Sequence, residues 1–355
     1  MERTLTLEDY SKNQSRRKST LKKYGIVILF LLPFLAAFIV FFICPLIYGI
    51  YISLTNFVYG KPGVYDFNAM KWYRIIFDGS YQPKVFHVFW ASFLHSFVFA
   101  LIMVPIAILL PLGLAILVNL KPPGFKIFRA LIYMPSIVPL TASGTIFTLL
   151  FMPASQHGLI AEMFGCQINW FTDIWFSFSI GGTTFSVAYA WIPIFLMCLW
   201  GGWGSNFIIL SAGLQNVPRS LYEASSIDGC SPMRKVRAVT LPGIKGQMVL
   251  CLFTTIIGYL GLYGQNYVLS SGGPAIPSYS SLPGGGSTST IIYFIQDIVA
   301  NNANFRTKLY GLGAAASIIF AIFTGIVSGI QMYCTRDRKP NNKHAEEYLK
   351  WSQIK

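Results

Sequence analysis

Apolar residues run along this chain in long stretches, near 24–52, 88–118, 127–152, 181–213, 247–270 and 308–333, separated by short polar or turn-forming segments. Crossing about 30 Å of hydrocarbon at about 1.5 Å per residue takes about 20 residues in a helix. Each of the six runs is long enough. The expected fold is an all-α polytopic membrane protein of six transmembrane helices, with a polar tail over 1–23 and another over 334–355. The first run is too long for a signal-peptide core and lacks a small-x-small cleavage site, so it reads as an uncleaved span.

Charge gives these spans a direction, because short cytoplasmic loops retain Lys and Arg. Seven lie before Tyr24, three between Asn119 and Arg129, five between Gln215 and Lys245 and six after Cys334, which is 21 of the 27 in the chain. Lys61, Lys71, Arg74, Lys84, Arg306 and Lys308 fall in or beside the opposite loops. Both termini are therefore expected in the cytoplasm. With 54% apolar and 11% charged residues, the composition lies outside the soluble range. The formal charge of +14 is spread over the ends of spans instead of forming one stripe, which argues for topology and against nucleic acid.

The candidate chemistry is sparse. Six cysteines show no CxxC pair and no zinc spacing, and the four histidines are isolated. His95, inside the second run, is either a functional group or one end of an interhelical hydrogen bond. None of the 13 carboxylates falls at the middle of a span, which disfavours a proton- or sodium-driven carrier. There is no GxxxxGK[ST] loop to hold a nucleotide. If the chain moves solute uphill, its energy comes from a partner. A membrane enzyme would need a His, Asp, Glu or Cys cluster at the membrane boundary, and the sequence contains none.

One polar island interrupts the apolar pattern, LYEASSIDGCSPMRKVRAVTLP at 221–242. Pro218 suits a first helical turn, and Leu221, Ala224, Ser225 and Asp228 follow at i, i+3, i+4, i+7. Gly229 stands where a helix end needs left-handed geometry. Ser231-Pro232 reads as the start of a second helix carrying Arg234, Lys235 and Arg237, and Pro242 leads to the next span. Such a hairpin either transmits motion from a cytoplasmic protein or lies on the headgroups as an amphipathic loop.

Glu223-Ala224-Ser225, followed by Asp228-Gly229 and Leu241-Pro242, resembles the EAA motif of binding-protein-dependent ABC importer permeases without a gap in spacing. Ser225 replaces the second alanine, and Val236 stands where phenylalanine is frequent. Other stretches resemble the carbohydrate branch, the maltose- or multiple-sugar-type importers: Pro45-Leu46-Ile47-Tyr48, Asn68 to Phe77, Ser271-Gly272-Gly273-Pro274, Ser287-Thr288-Ser289-Thr290 and Gly311 to Gln331. The likeness covers roughly 25–335.

The resemblance implies a type I ABC importer permease fold, with a transmembrane domain over 24–333 and a coupling hairpin over 218–242. It makes Glu223, Ala224, Ser225, Asp228 and Gly229 the contact with an ATPase. It implies a multi-pass permease of a bacterial-type cell membrane that does no covalent chemistry and holds no cofactor. ATP and Mg would belong to two partner ATPase subunits. A second homologous permease would complete a heterodimer, and an extracytoplasmic solute-binding protein would deliver a sugar to loops at 55–87, 153–180 and 271–307.

Depth and resemblance together suggest a solute route. Residues 198–205 and 255–263 fall near the expected midplane, where transport sites tend to sit. Thr255, Tyr259, Leu262 and Asn266 would share a helical face. By resemblance, Cys198, Gly201, Gly202, Ser205, Thr255, Tyr259 and Leu262 coincide with positions that line the sugar cavity of maltose-type permeases. Plain packing through small residues is the alternative. The insert at 275–286 reads as a flexible lip. Similar subunits import glycerol phosphate esters, so a phosphate-bearing or other polar solute is the alternative substrate, and a stand-alone secondary carrier the alternative class.

Overall fold

The computed structural model describes residues 27–57, 65–68, 70–300 and 309–335. The expected N-terminal tail, and the C-terminal tail past Thr335, lie outside the described residues.

Four helices are long and apolar enough to cross a membrane alone: α1 (Val27–Ser53), α3 (Pro83–Asn119), α7 (Trp191–Asn216) and α13 (Tyr310–Thr335). A short helix, α2 (Lys71–Phe77), precedes α3. Two further spans are bent pairs. Helix α4 (Phe125–Ile137) meets α5 (Leu140–Leu150) at 96°, and α9 (Pro232–Gly243) meets α10 (Lys245–Leu260) at 75°. Counting each pair as one gives up to six spans. A short helix, α6 (Leu159–Phe164), lies between α5 and α7, and α8 (Arg219–Ile227) between α7 and α9. After α10 come α11 (Gly264–Ser270) and α12 (Ile291–Ala300).

The bundle is organised on α3, which packs along both α7 and α10. At 37 residues, about 55 Å, it exceeds the hydrocarbon thickness. Its first half joins α2, α12 and α13 around Phe89, Ile76 and Phe294, and its last turns join α7 and α10 around Phe207, Leu210 and Ile244. Helix α1 is different. None of its most apolar stretch is buried within the chain, and Phe30 and Phe41 are each 81% exposed, so lipid or another chain must cover it.

Three of the apolar runs are divided, each for a local reason. The run at 181–213 begins as a strand. Residues Ile174–Ile180 (β1) and Thr183–Ala188 (β2) pair antiparallel, and the helix starts only at Trp191. The stretch alternates aromatic or β-branched residues with serine and threonine, a period of two, which favours a strand over a helix. Gly181 and Gly182 both take positive φ, as the tight turn between right-twisted strands requires. Ser177 pairs with Ser186 across the strands at 2.7 Å, and the His87 ring bonds Thr183 Oγ1 at 2.7 Å, fixing the hairpin to the start of α3. The fold is the expected helical one, with this two-stranded hairpin as a local exception.

The run at 127–152 turns sharply at Val138-Pro139, because a proline drives the preceding residue out of helical geometry; Val138 has ψ of 127°. The run at 247–270 breaks at Gly261-Leu262-Tyr263, between α10 and α11. Thr255, Tyr259, Leu262 and Asn266 therefore do not lie on one continuous helix.

Prolines inside the helices are accommodated individually. Pro45 and Pro242 are each preceded by a π-helical turn, Ile39–Ile43 and Val236–Thr240. There Cys44 N–H reaches Ile39 O, and Leu241 N–H reaches Val236 O. The wider turn relieves the clash that a proline ring makes with the preceding carbonyls. Pro111, inside α3, has no N–H for the carbonyl of Ala107. The Asn206 amide on α7 donates to that carbonyl at 2.8 Å and to Thr255 Oγ1 on α10 at 3.0 Å. One buried asparagine thereby joins the three central helices.

The largest buried polar feature is Ser287-Thr288-Ser289-Thr290, a turn and loop segment in which all four residues are wholly buried. Thr290 Oγ1 donates to Leu262 O at the break in the α10–α11 span at 2.6 Å, and Thr288 Oγ1 to Gly273 O at 2.7 Å. Ser92 and His95 on α3 reach the hydroxyl and carbonyl of Ser289, and Trp191 Nε1 donates to Ser287 O. The His95 ring is thus hydrogen-bonded inside the bundle, to a loop carbonyl instead of a second helix. The insert at 275–286 is not a loose lip: Ile276 and Tyr279 are buried, and the Tyr279 hydroxyl accepts the Thr184 N–H at 3.1 Å.

Asn206→Leu leaves two buried partners unpaired, at about 1–3 kcal/mol each. Its thermal unfolding midpoint in detergent should fall, and adding Pro111→Ala, which restores an N–H for Ala107, should recover part of the loss. Equal midpoints for Asn206→Leu and the natural protein would contradict the role given to Asn206.

Candidate coupling hairpin and membrane cleft

The polar island folds as a helix, a glycine turn and a second helix. Pro218 stands immediately before α8 instead of within its first turn. The helix ends as its sequence demands. Gly229 takes φ +68°, Cys230 N–H returns to Ser225 O at 3.0 Å and Gly229 N–H to Ser226 O at 3.1 Å, the paired closure of a Schellman end. A Cβ at Gly229 would meet nothing within 4 Å, so backbone conformation alone selects glycine there. The second helix starts at Pro232 after Ser231, whose side chain makes no capping bond.

The two arms are bonded together. Tyr222 OH lies 3.1 Å from Thr240 Oγ1, and Lys235 Nζ donates to Ser226 Oγ at 2.7 Å. Of the five motif residues, Ser225 is buried, its hydroxyl donating to Tyr222 O, while Glu223, Ala224, Asp228 and Gly229 are exposed. Beside them Ile227 is 88% exposed and Met233 63% exposed, apolar side chains of a kind that fits a partner's cleft. The hairpin's base is anchored by Ile244 and Val217, both buried against α3 and α7.

Helix α10 runs from this base to a second feature, a cleft of about 370 Å³ around the break at Gly261–Tyr263. Gly202, Ser205, Thr255, Tyr259 and Leu262 line it, so five of the seven residues expected in a cavity come together. Cys198 does not; it is buried in the apolar cluster with Phe99, Phe147 and Ile194. Gly201 lies outside the cleft, beside open space. Gly202 also serves packing, because a Cβ there would come within 2.8 Å of the Tyr259 hydroxyl. That hydroxyl donates to Cys198 O at 3.4 Å, and Thr255 is occupied by Asn206.

Thr254, Gly258, Tyr263 and Gln265 complete the polar lining and were not singled out by resemblance. Thr254 and Gly258 share a helix face with Gly261 at i, i+4, i+7, a pattern present in the sequence, whereas Tyr263 and Gln265 enter through the break. Among the described residues, no Asp, Glu, Lys or Arg lines the cleft. Hydroxyl, amide and glycine backbone suit a neutral, hydrogen-bonding solute better than an ion.

Residues 79–339 match the family described as binding-protein-dependent transport system inner membrane component. The chain is 29% identical over 308 residues to the arabinooligosaccharides transport system permease protein AraP of Bacillus subtilis (strain 168), covering 86% of each chain. It is 27% identical over 334 residues to the lactose transport system permease protein LacF of Rhizobium radiobacter, covering 91% of this chain and 98% of LacF. It shares its fold with a chain of a bacterial ABC transporter involved in import of the acidic polysaccharide alginate, with a TM-score of 0.66 at 16% identity, covering 92% of this chain and 100% of that one. The chain belongs to the binding-protein-dependent transport system inner membrane component family and is a non-catalytic, multi-pass permease of an ABC importer.

Proposed function

We propose that this permease carries a neutral carbohydrate, an oligosaccharide in particular, through a cavity that includes the cleft at the broken span. The observation that carries this reading is the cleft's lining, which is free of charge and rich in hydroxyl, amide and glycine groups. The names of the relatives, which specify arabinooligosaccharides and lactose, support the same class. The cleft opens to one side of the chain, consistent with a second, related permease closing it as a heterodimer.

The hairpin is the coupling element, with Glu223, Ala224, Asp228 and Gly229 at an ATPase surface and Ser225 packed beneath them. Two ATPase subunits use ATP and Mg, and this chain holds no cofactor. A solute-binding protein delivers the sugar at the opposite face, and both termini are cytoplasmic. Mechanically, the hairpin's base continues into α10, 16 residues or about 24 Å long, whose far end forms the cleft. A displacement of the hairpin reaches the cleft along one helix.

Two sets of variants test this. Gly229→Val, which forces a β-branched residue into left-handed geometry at a cost of about 1–2 kcal/mol, and Glu223→Lys should leave membrane insertion intact while lowering ATP-driven uptake relative to ATP hydrolysis. Unchanged uptake in both would contradict the coupling role. A Cβ at Gly258 meets no atom within 4 Å, so Gly258→Leu should fold normally yet obstruct sugar uptake in proteoliposomes holding the assembled importer. Normal uptake by that variant would remove the cleft from the route.

A further inference from the structure

A second cavity, of about 890 Å³, lies apart from the cleft. It lies between the end of α3, the start of α4 and the inner side of the hairpin. Lys121, Arg129, Arg219 and Lys235 line it, and no carboxylate does. None of the four makes an ion pair with a described residue. The Nε–H of Arg129 is buried without an acceptor. Four half-buried or exposed cations converge on one cavity that no described carboxylate lines, a positive field that attracts an anion.

The rest of the lining identifies that anion. Ile116 and Val118, in the last turn of α3, together with Phe125 and Val236, form an apolar wall. Helices α3 and α7 end at Asn119 and Asn216, so the cavity straddles a membrane boundary, apolar on the hydrocarbon side and cationic beyond it. That gradient matches an amphiphile with an acidic head. On α8, Arg219 and Tyr222 face the cavity at i, i+3, whereas Ala224 and Asp228 lie on the other side of the helix. Ala224 and Asp228 are therefore on a different face from the cavity, while Glu223, at i+4 from Arg219, lies toward the cavity side.

We infer that this cavity is a binding site for an acidic phospholipid, the four cations holding its phosphodiester headgroup and the apolar wall an acyl chain. Basic pockets between spans at a membrane boundary are suited to such headgroups. The inference needs only that this end of the bundle lies at a membrane boundary, and is independent of the solute carried. A lipid held there braces the hairpin against α3 and α4, and so bears on the element that must move.

The test uses the assembled importer in phosphatidylethanolamine nanodiscs with or without phosphatidylglycerol, with native mass spectrometry counting retained lipid. The natural protein should retain phosphatidylglycerol in preference to phosphatidylethanolamine, and added inorganic phosphate should not displace it. At roughly fivefold per cation near an anionic surface, Arg129→Gln with Arg219→Gln should weaken retention about 25-fold. Lys121→Gln, an exposed single change, should weaken it about fivefold, with an unchanged thermal midpoint in phosphatidylethanolamine alone, which separates lost binding from lost folding. Equal retention of both lipids, undiminished retention by the variants, or displacement by inorganic phosphate would each overturn the assignment. So would loss of ATPase subunits from the double variant with lipid still bound, which would make the cavity a protein-docking face.

Discussion

Inside a bilayer every peptide N–H and C=O must find a partner within the protein, and this requirement governs the molecule more than any single apolar contact. Its spans are interrupted repeatedly, by Pro45, Pro111, Pro139, Pro242 and the break at Gly261–Tyr263. The interruptions have local answers: a π turn before Pro45 and Pro242, the Asn206 amide on the carbonyl that Pro111 leaves free, and Thr290 on the carbonyl of Leu262. Ser287 to Thr290 extend the principle from one carbonyl to a whole segment, tying α3, α7 and the broken span together. With these bonds made, backbone can remain unwound beside the cleft.

The same requirement separates a fixed frame from a part able to move. Around Ser289 the polar contacts are buried and come from several elements. At the hairpin they are few, a part-buried Tyr222–Thr240 bond and an exposed Lys235–Ser226 bond, above an apolar anchor at Ile244. No described carboxylate lies within a helix long enough to cross alone; Asp297, on the short α12, accepts the Gly284 N–H at 2.7 Å. A core without titratable carboxylates is poorly equipped to couple to a proton gradient. On the coupling role proposed above, energy from outside the chain enters at the polar hairpin, which α10 joins to the cleft.

Much of this was legible in the sequence, and the failures have physical causes. Residues 221–242 were readable because a helix end and a proline each impose local rules, and Gly229 obeys them. Five cleft residues followed from depth and resemblance. Cys198 and Gly201 lie outside that cleft, because depth says nothing about which way a helix face points. The strand at 183–188 was hidden inside an apolar run, although its two-residue alternation and the Gly181-Gly182 pair signalled it. Asn206 was overlooked because its partner is a carbonyl freed by a proline 95 positions away in the chain. The insert at 275–286 had the composition of a loose loop, yet Ile276 and Tyr279 bury it against residues remote in sequence.

The central claim is that this permease has no energy source of its own and is driven through the hairpin. It is tested most directly in proteoliposomes containing a binding protein and sugar, by comparing uptake with this chain and its partner permease alone, with ATPase subunits added, and with ATP supplied. Uptake against a gradient should require both the ATPase and ATP, and should be insensitive to collapse of proton and sodium gradients. Ion-gradient-driven accumulation by this chain without an ATPase would contradict the account.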